Sequence, residues 1–177
     1  MENNNANQNR MMTGMFRDRQ SAESAYNALH ERGYTQDEVN LMMSDETRKR
    51  HFENSDHDTD LGNKALEGAG TGSAIGGTAG AIIGAIAAIG TAVALPGLGL
   101  VVAGPIAAGL AGAGAGGLTG GIVGALVGSG IPEDRAKEYE SGVKEGGIVM
   151  GVNPRTQEDA DYLEHHWKNN NGEYIHR

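Results

Sequence analysis

Asp56, Asp58, Asp60 and Glu67 fall at the first, third, fifth and twelfth positions of a calcium-loop template, a spacing that gathers hard oxygen ligands around one divalent cation. The template requires Gly at its sixth position, where this chain has Leu61, with Gly62 one residue late. The run therefore reads as a solvated acidic linker, and no metal is assigned to it. His165 and His166 are neighbours, so on a helix they point about 100° apart and do not grip one metal together. They read as exposed helix residues, and His51 and His57 show no ligand spacing. The Gly-rich run 68–77 has the composition of a phosphate loop, yet no Gly-Lys-Ser/Thr follows it and no strand precedes it. No nucleophile, base and orienting group can be assembled. The chain is expected to be non-enzymatic, with no catalytic residue and no cofactor.

What must be positioned is instead a backbone surface. The chain has 177 residues and 29 glycines, where an average usage of about 7% gives roughly 12. Of these, 21 lie between Gly68 and Pro132, a stretch of 65 residues without Asp, Glu, Lys, Arg or His. Aromatic residues make up 5% of the chain, so little large apolar surface is available for a conventional core.

The net charge of −9 is shared by both flanks: 13 acids and 8 bases precede Gly68, and 10 acids and 6 bases follow Pro132. There is no basic stripe for nucleic acid and no polybasic contact for anionic lipid. The absence of cysteine fits a reducing compartment. Half of residues 1–10 are Asn, and the stretch reads as a disordered tail rather than a cleaved signal.

The N-terminal flank, 11–48, reads as strand, helix, strand. Met11 to Phe16 is a short apolar run, Ser21 is the expected helix N-cap, and Ala22, Ala25, Tyr26 and Leu29 form one helical face that stops at Gly33. Val39, Leu41 and Met43 alternate as a half-buried strand does. An acidic linker, 49–67, follows. The C-terminal flank, 131–177, reads helix, strand, helix, strand. Pro132 is expected at a first helical position ahead of Glu133 and Asp134, and Ala136, Tyr139 and Val143 make the stripe of that helix. Ile148, Met150 and Val152 alternate as a strand, Thr156 with Asp159 resembles a capping box, and Ala160, Leu163 and Trp167 line the last helix. Tyr174 and Ile175 are a final short strand. Neither flank closes a core alone. Joined, they make an α+β ferredoxin-like split βαβ module, βαβ plus αβαβ, interrupted by a long Gly/Ala-rich helical hairpin.

That hairpin, 68–130, carries two ladders at strict four-residue spacing: Gly68, Gly72, Gly76, Gly80 and Gly84, then Gly112, Gly116, Gly120, Gly124 and Gly128. Residues four apart share nearly one helix face, so each ladder opens a groove where a second backbone approaches closely. Gly68 to Leu95 makes about 42 Å of helix and Pro105 to Ser129 about 37 Å, each long enough for a hydrocarbon core of about 30 Å. The run from Leu95 to Pro105 is expected to be the turn. Glycine costs about 1 kcal/mol per helical position relative to Ala in water, so the ladders require compensating packing from lipid or from neighbouring copies.

The run Leu95-Pro-Gly-Leu-Gly-Leu-Val-Val-Ala-Gly-Pro105, the segment Gly124 to Glu133, Tyr139 and Gly146-Gly147-Ile148, with a flank near Met15 to Ser44, resemble bacterial general-stress proteins of the 17M-like and low-temperature-induced type. The resemblance implies a stress-associated protein and carries over no catalytic residue. The Asn-rich tail and the stretch from Glu53 to Asp60 depart from it. The expected function is self-assembly through the ladders, as a homo-oligomer associated with membrane lipid, at the inner (cytoplasmic) membrane with both flanks in the cytoplasm. The alternative is a water-soluble cytoplasmic particle or filament whose zipper helices are buried between subunits. No nucleic-acid partner is expected, and no small molecule is assigned.

Overall fold

The computed structural model describes residues 11–51, 93–95, 99–107, 121–128 and 130–177. The Asn-rich tail, the calcium-template carboxylates, the first ladder from Gly68 to Gly84, and Gly112, Gly116 and Gly120 lie outside them.

Strand β1 (Met12–Phe16) leads into helix α1 (Arg19–Glu31), and a single 3-10 turn precedes β2 (Val39–Ser44). The α1 cap is Asp18 rather than Ser21: Asp18 Oδ1 accepts from Ser21 N at 2.8 Å, which puts Ser21 inside the first turn. Helix α2 (Asp45–His51) follows β2 directly and runs past the expected linker boundary at 48. Its start is held by Ser44 Oγ, which accepts from Thr47 N at 3.0 Å. Two short strands, β3 (Val93–Leu95) and β4 (Leu100–Ala103), come next, then helix α3 (Gly121–Gly128). Helix α4 (Glu133–Lys144), β5 (Ile148–Val152), α5 (Gln157–Asn169) and β6 (Glu173–His176) complete the chain. Pro132 caps α4 from outside, one residue earlier than expected.

The six strands form one sheet in the order β3-β4-β2-β5-β1-β6, with every pairing antiparallel. The chain is therefore α+β. β5 lies between β1 and β2, so the two flanks share their central strands: Met150 pairs with Gly14 on one side and with Leu41 on the other.

β3 and β4 depart from the expectation that helix runs to Leu95 and a loop fills 95–105. Leu100, Val101 and Val102 are a β-favouring run, and pairing with Ser44, Met43 and Met42 satisfies their backbone while both faces are buried. At the end of β4 the chain crosses close over β2. Gly104 has φ +92°, and a Cβ there would lie 2.2 Å from Val39 O, so only glycine fits. Pro105 then opens a helical turn, 105–107, and its Ile106 N donates to Asn40 Oδ1 at 2.8 Å.

β2 was expected to be half-buried; β1, β2, β4 and β5 are instead covered on both faces, and the edge strand β6 is partly exposed. Met12, Phe16, Leu41, Met43, Ile148 and Met150 face α1 and α5, where Trp167 packs edge-on against Phe16 with ring centroids 5.6 Å apart. Met15, Met42, Val102 and Val149 face the other way, against α3 and α4. On that side Tyr139 donates to Tyr174 O at 2.9 Å and lies 2.6 Å from the Thr13 hydroxyl, and burial pushes its phenol up to about 12. The physical reason is the extra helix α4, which together with α3 supplies the second layer.

Gly142 lets α4 approach the sheet: a Cβ there would sit 1.9 Å from Met15 Sδ. Gly142→Ala is expected to destabilise the fold by about 1–3 kcal/mol through overpacking, measured as a lower urea midpoint.

Candidate self-association surface

Helix α3 carries the part of the second ladder that lies within the described residues. Ile122 and Leu126 are buried in the core beside Met42 and Val149. Gly124 and Gly128 sit about 200° around the helix from Ile122 and Leu126 respectively, on the far side. Gly128 is exposed, an added Cβ would meet nothing within 4 Å, and Val127 beside it is 42% exposed. Ile122 and Leu126 thus turn inward, Gly128 and Val127 turn outward with Gly124 half-buried, and the helix has no charged or hydrogen-bonding side chain. The outward face offers bare backbone and small apolar surface, which suits close approach of another helix by dispersion and Cα–H···O contacts.

The two described ends of the expected second helix converge. Ile106 and Leu126 line one small cavity with Thr13, Asn40, Ile131 and Gly151. A straight helix would hold those two residues about 30 Å apart, so they do not lie on one straight helix from Pro105 to Ser129. The cavity holds roughly 10 Å³, about one water molecule's worth.

Asn40 was missed by sequence reasoning. It is a buried polar residue in an otherwise apolar strand, and its side chain joins Ile106 N to Gly151 O, the latter at 3.4 Å from Nδ2. Its signal was the lone amide in Val39-Asn-Leu-Met-Met43. Also missed was a polar cluster where α1 ends and α5 begins. Arg32 Nε donates to Asp159 Oδ1 at 2.7 Å, Tyr34 donates to Asp159 Oδ2 at 3.0 Å, and Arg155 N donates to the Tyr34 oxygen at 2.8 Å. The Arg155 guanidinium lies 4.4 Å from the Tyr34 ring centroid and grips Glu38 at 2.7 Å. Asp159 thus serves Arg32 and Tyr34 through its side chain, and its N–H donates to the Thr156 cap at 3.0 Å. Burial raises the Asp159 pKa, but its bonds to Arg32 and Tyr34 outweigh that and hold the carboxyl below its ordinary value. Every one of these side chains has its partner, and the cluster is a clasp between helices.

His165 is exposed, and His166 stacks on Tyr162 with its Nε2 3.4 Å from Ser24 Oγ. Among the described residues no group of three or more His, Asp or Glu is disposed to hold a metal, and no helix is long and apolar enough to cross a membrane. No family model, curated protein or solved structure matches the chain.

Two outcomes follow from this geometry. Gly128→Ala is expected to preserve or raise the urea midpoint, by up to about 1 kcal/mol from helix propensity, whereas Gly104→Ala collides with Val39 O and lowers it. The bond to Arg155 holds Glu38 down to about 2 from 4.5. Because the folded value is the lower one, the stabilisation is present above pH 4.5 and is lost as pH falls toward 2. In a carbon-detected NMR titration Arg155→Gln returns the Glu38 midpoint toward its ordinary value.

Proposed function

We propose that this is a non-enzymatic, stress-associated protein that self-assembles through its glycine ladders. In this reading Gly68, Gly72, Gly76, Gly80 and Gly84 act with Gly112, Gly116, Gly120, Gly124 and Gly128. The observation that carries it is the outward glycine face of α3, opposite the buried Ile122 and Leu126. The stress association rests on the family resemblance of the central motifs.

We infer that the α+β core is a ferredoxin-like split βαβ unit. The support is the partial order β2-β5-β1-β6, in which β5 separates the two strands joined by α1. The β3–β4 pair then extends the sheet beyond β2.

The pairing of β4 with β2 favours ladders buried between copies of the chain over a bilayer-spanning hairpin. A hairpin turning at 95–105 across a core of about 30 Å would carry Leu100–Ala103 to the far side of the membrane. Here those residues lie one strand spacing from Leu41–Ser44, about 4.8 Å. The assembly is accordingly proposed as cytoplasmic, with an inner-membrane hairpin as the competing reading.

The test is the double variant Gly124→Leu with Gly128→Leu, followed by sedimentation velocity and near-UV circular dichroism. The expected result is smaller species with an unchanged aromatic spectrum; wild-type particle size would count against the ladder reading. Flotation of cell membranes with a carbonate wash separates the two locations. Detergent-independent soluble particles support burial between copies, and carbonate-resistant flotation supports the membrane hairpin.

A further inference from the structure

We propose that Met11 is a peroxide-sensitive methionine coupled through Asn40 to the root of the glycine-rich segment, Gly104 to Ala107. This goes beyond the self-assembly reading and does not depend on it. Five of the six methionines among the described residues are sealed in the sheet, from Met12 and Met150 at 0% exposure to Met42 at 5%. Met11 alone among them is partly exposed. Its Sδ accepts from Asn40 Nδ2 at 3.5 Å and lies 3.2 Å from where a Gly151 Cβ would be. The thioether therefore sits over bare β5 backbone, on a side chain that is half-buried rather than sealed.

A hydroperoxide reaching the thioether is attacked at oxygen by a sulfur lone pair. The S–O bond forms as the O–O bond breaks, and the proton of the transferred hydroxyl passes to the departing hydroxide, which leaves as water. Sulfur loses two electrons and the peroxide gains them, so no further reductant or oxidant is required. The product replaces a weak sulfur acceptor with a strong oxygen acceptor beside the space that the missing Gly151 Cβ leaves.

Asn40 feels that change directly. One of its Nδ2 hydrogens points to Met11 Sδ, the other to Gly151 O, and its Oδ1 receives Ile106 N at 2.8 Å. The amide is planar, so drawing Nδ2 toward the sulfoxide oxygen turns Oδ1 away from Ile106. That bond ties the helical turn 105–107 to β2, and its loss loosens the segment where it leaves the sheet. Methionine sulfoxide reductase chemistry reverses the product, making the site a switch rather than a lesion.

The full chain is treated with dilute hydrogen peroxide and digested with trypsin, which cuts after Arg10 and separates Met1 from Met11. Met11, Met12 and Met15 share the tryptic peptide 11–17, so fragment-ion sequencing by tandem mass spectrometry is the readout, and it is expected to find Met11 oxidised at least about tenfold faster than Met12, Met15, Met42, Met43 or Met150. Amide exchange at Ile106 is expected to speed up by about tenfold in the oxidised protein. It should be restored by a methionine sulfoxide reductase and be unaffected by peroxide in Met11→Leu. Oxidation of Met12 or Met42 as fast as Met11, resistance of Met11 to peroxide, or unchanged Ile106 exchange in the Met11 sulfoxide would each overturn the proposal. Amide exchange and peptide mass are read independently of particle size, so failure of the ladder reading leaves this test standing.

Discussion

Everything in this fold depends on one strand insertion. Ile148–Val152 lies between Met12–Phe16 and Val39–Ser44, so the middle strand comes from more than a hundred residues beyond the two it separates. Until β5 arrives, β1 and β2 have no common neighbour and α1 has no continuous sheet to cover. Once it is in place, Met12, Leu41 and Met150 share one face, and Met15, Met42 and Val149 share the other. The clasp of Arg32 and Tyr34 on Asp159 works in the same direction, because it joins the end of the first flank's helix to the start of the second flank's. The bonds to Arg155 and to Arg32 and Tyr34 that lower Glu38 and Asp159 cross between the flanks and are lost when the flanks separate, while Thr35 lowers Glu38 from within its own flank.

A sheet covered on both faces needs two helical layers, and the two layers differ in kind. α1 and α5 bring ordinary amphipathic stripes, with Trp167 as the largest buried body. The opposite layer is built from α4 and from α3, whose inward side is Ile122 and Leu126 and whose outward side carries Gly128 and Val127. A glycine-rich helix is poorly stabilised by propensity, and here two large side chains docked on the sheet offset part of that deficit. The same docking fixes which way the ladder faces. In the proposed self-association the helix would not have to be folded by its partner, because the sheet has already oriented its outer surface.

The glycine-rich segment is also tied down in its middle. β4 adds to β2 in antiparallel register, Gly104 passes within contact of Val39 O, and Asn40 receives Ile106 N. The last two contacts fall on the first residues of β2, beside Met11 and Gly151, and the strand pairing covers the rest of β2. Chemistry at Met11 is thus conveyed through a planar amide to the place where the segment leaves the sheet. A rigid two-sided sheet makes such a relay possible, since close packing leaves little room for the neighbours to absorb a shift.

Much of this was legible in the sequence, because local periodicity needs no partner. The stripes Ala22-Ala25-Tyr26-Leu29, Ala136-Tyr139-Val143 and Ala160-Leu163-Trp167, and the strands around Met15, Leu41, Met150 and Ile175, occur where the pattern puts them. The ladder spacing by itself determined that Gly124 and Gly128 share one face of a helix. Tertiary structure alone decided which way that face points, because direction depends on what the sheet offers to Ile122 and Leu126. It alone decided that Val93–Leu95 and Leu100–Ala103 are strands, since an apolar run flanked by glycine suits helix, loop or strand until the free edge of β2 supplies hydrogen-bond partners. It also took Asp159 beyond its cap role and made Asn40 an anchor. A side chain's second partner lies across the fold, and sequence spacing carries no record of contacts made across more than sixty residues.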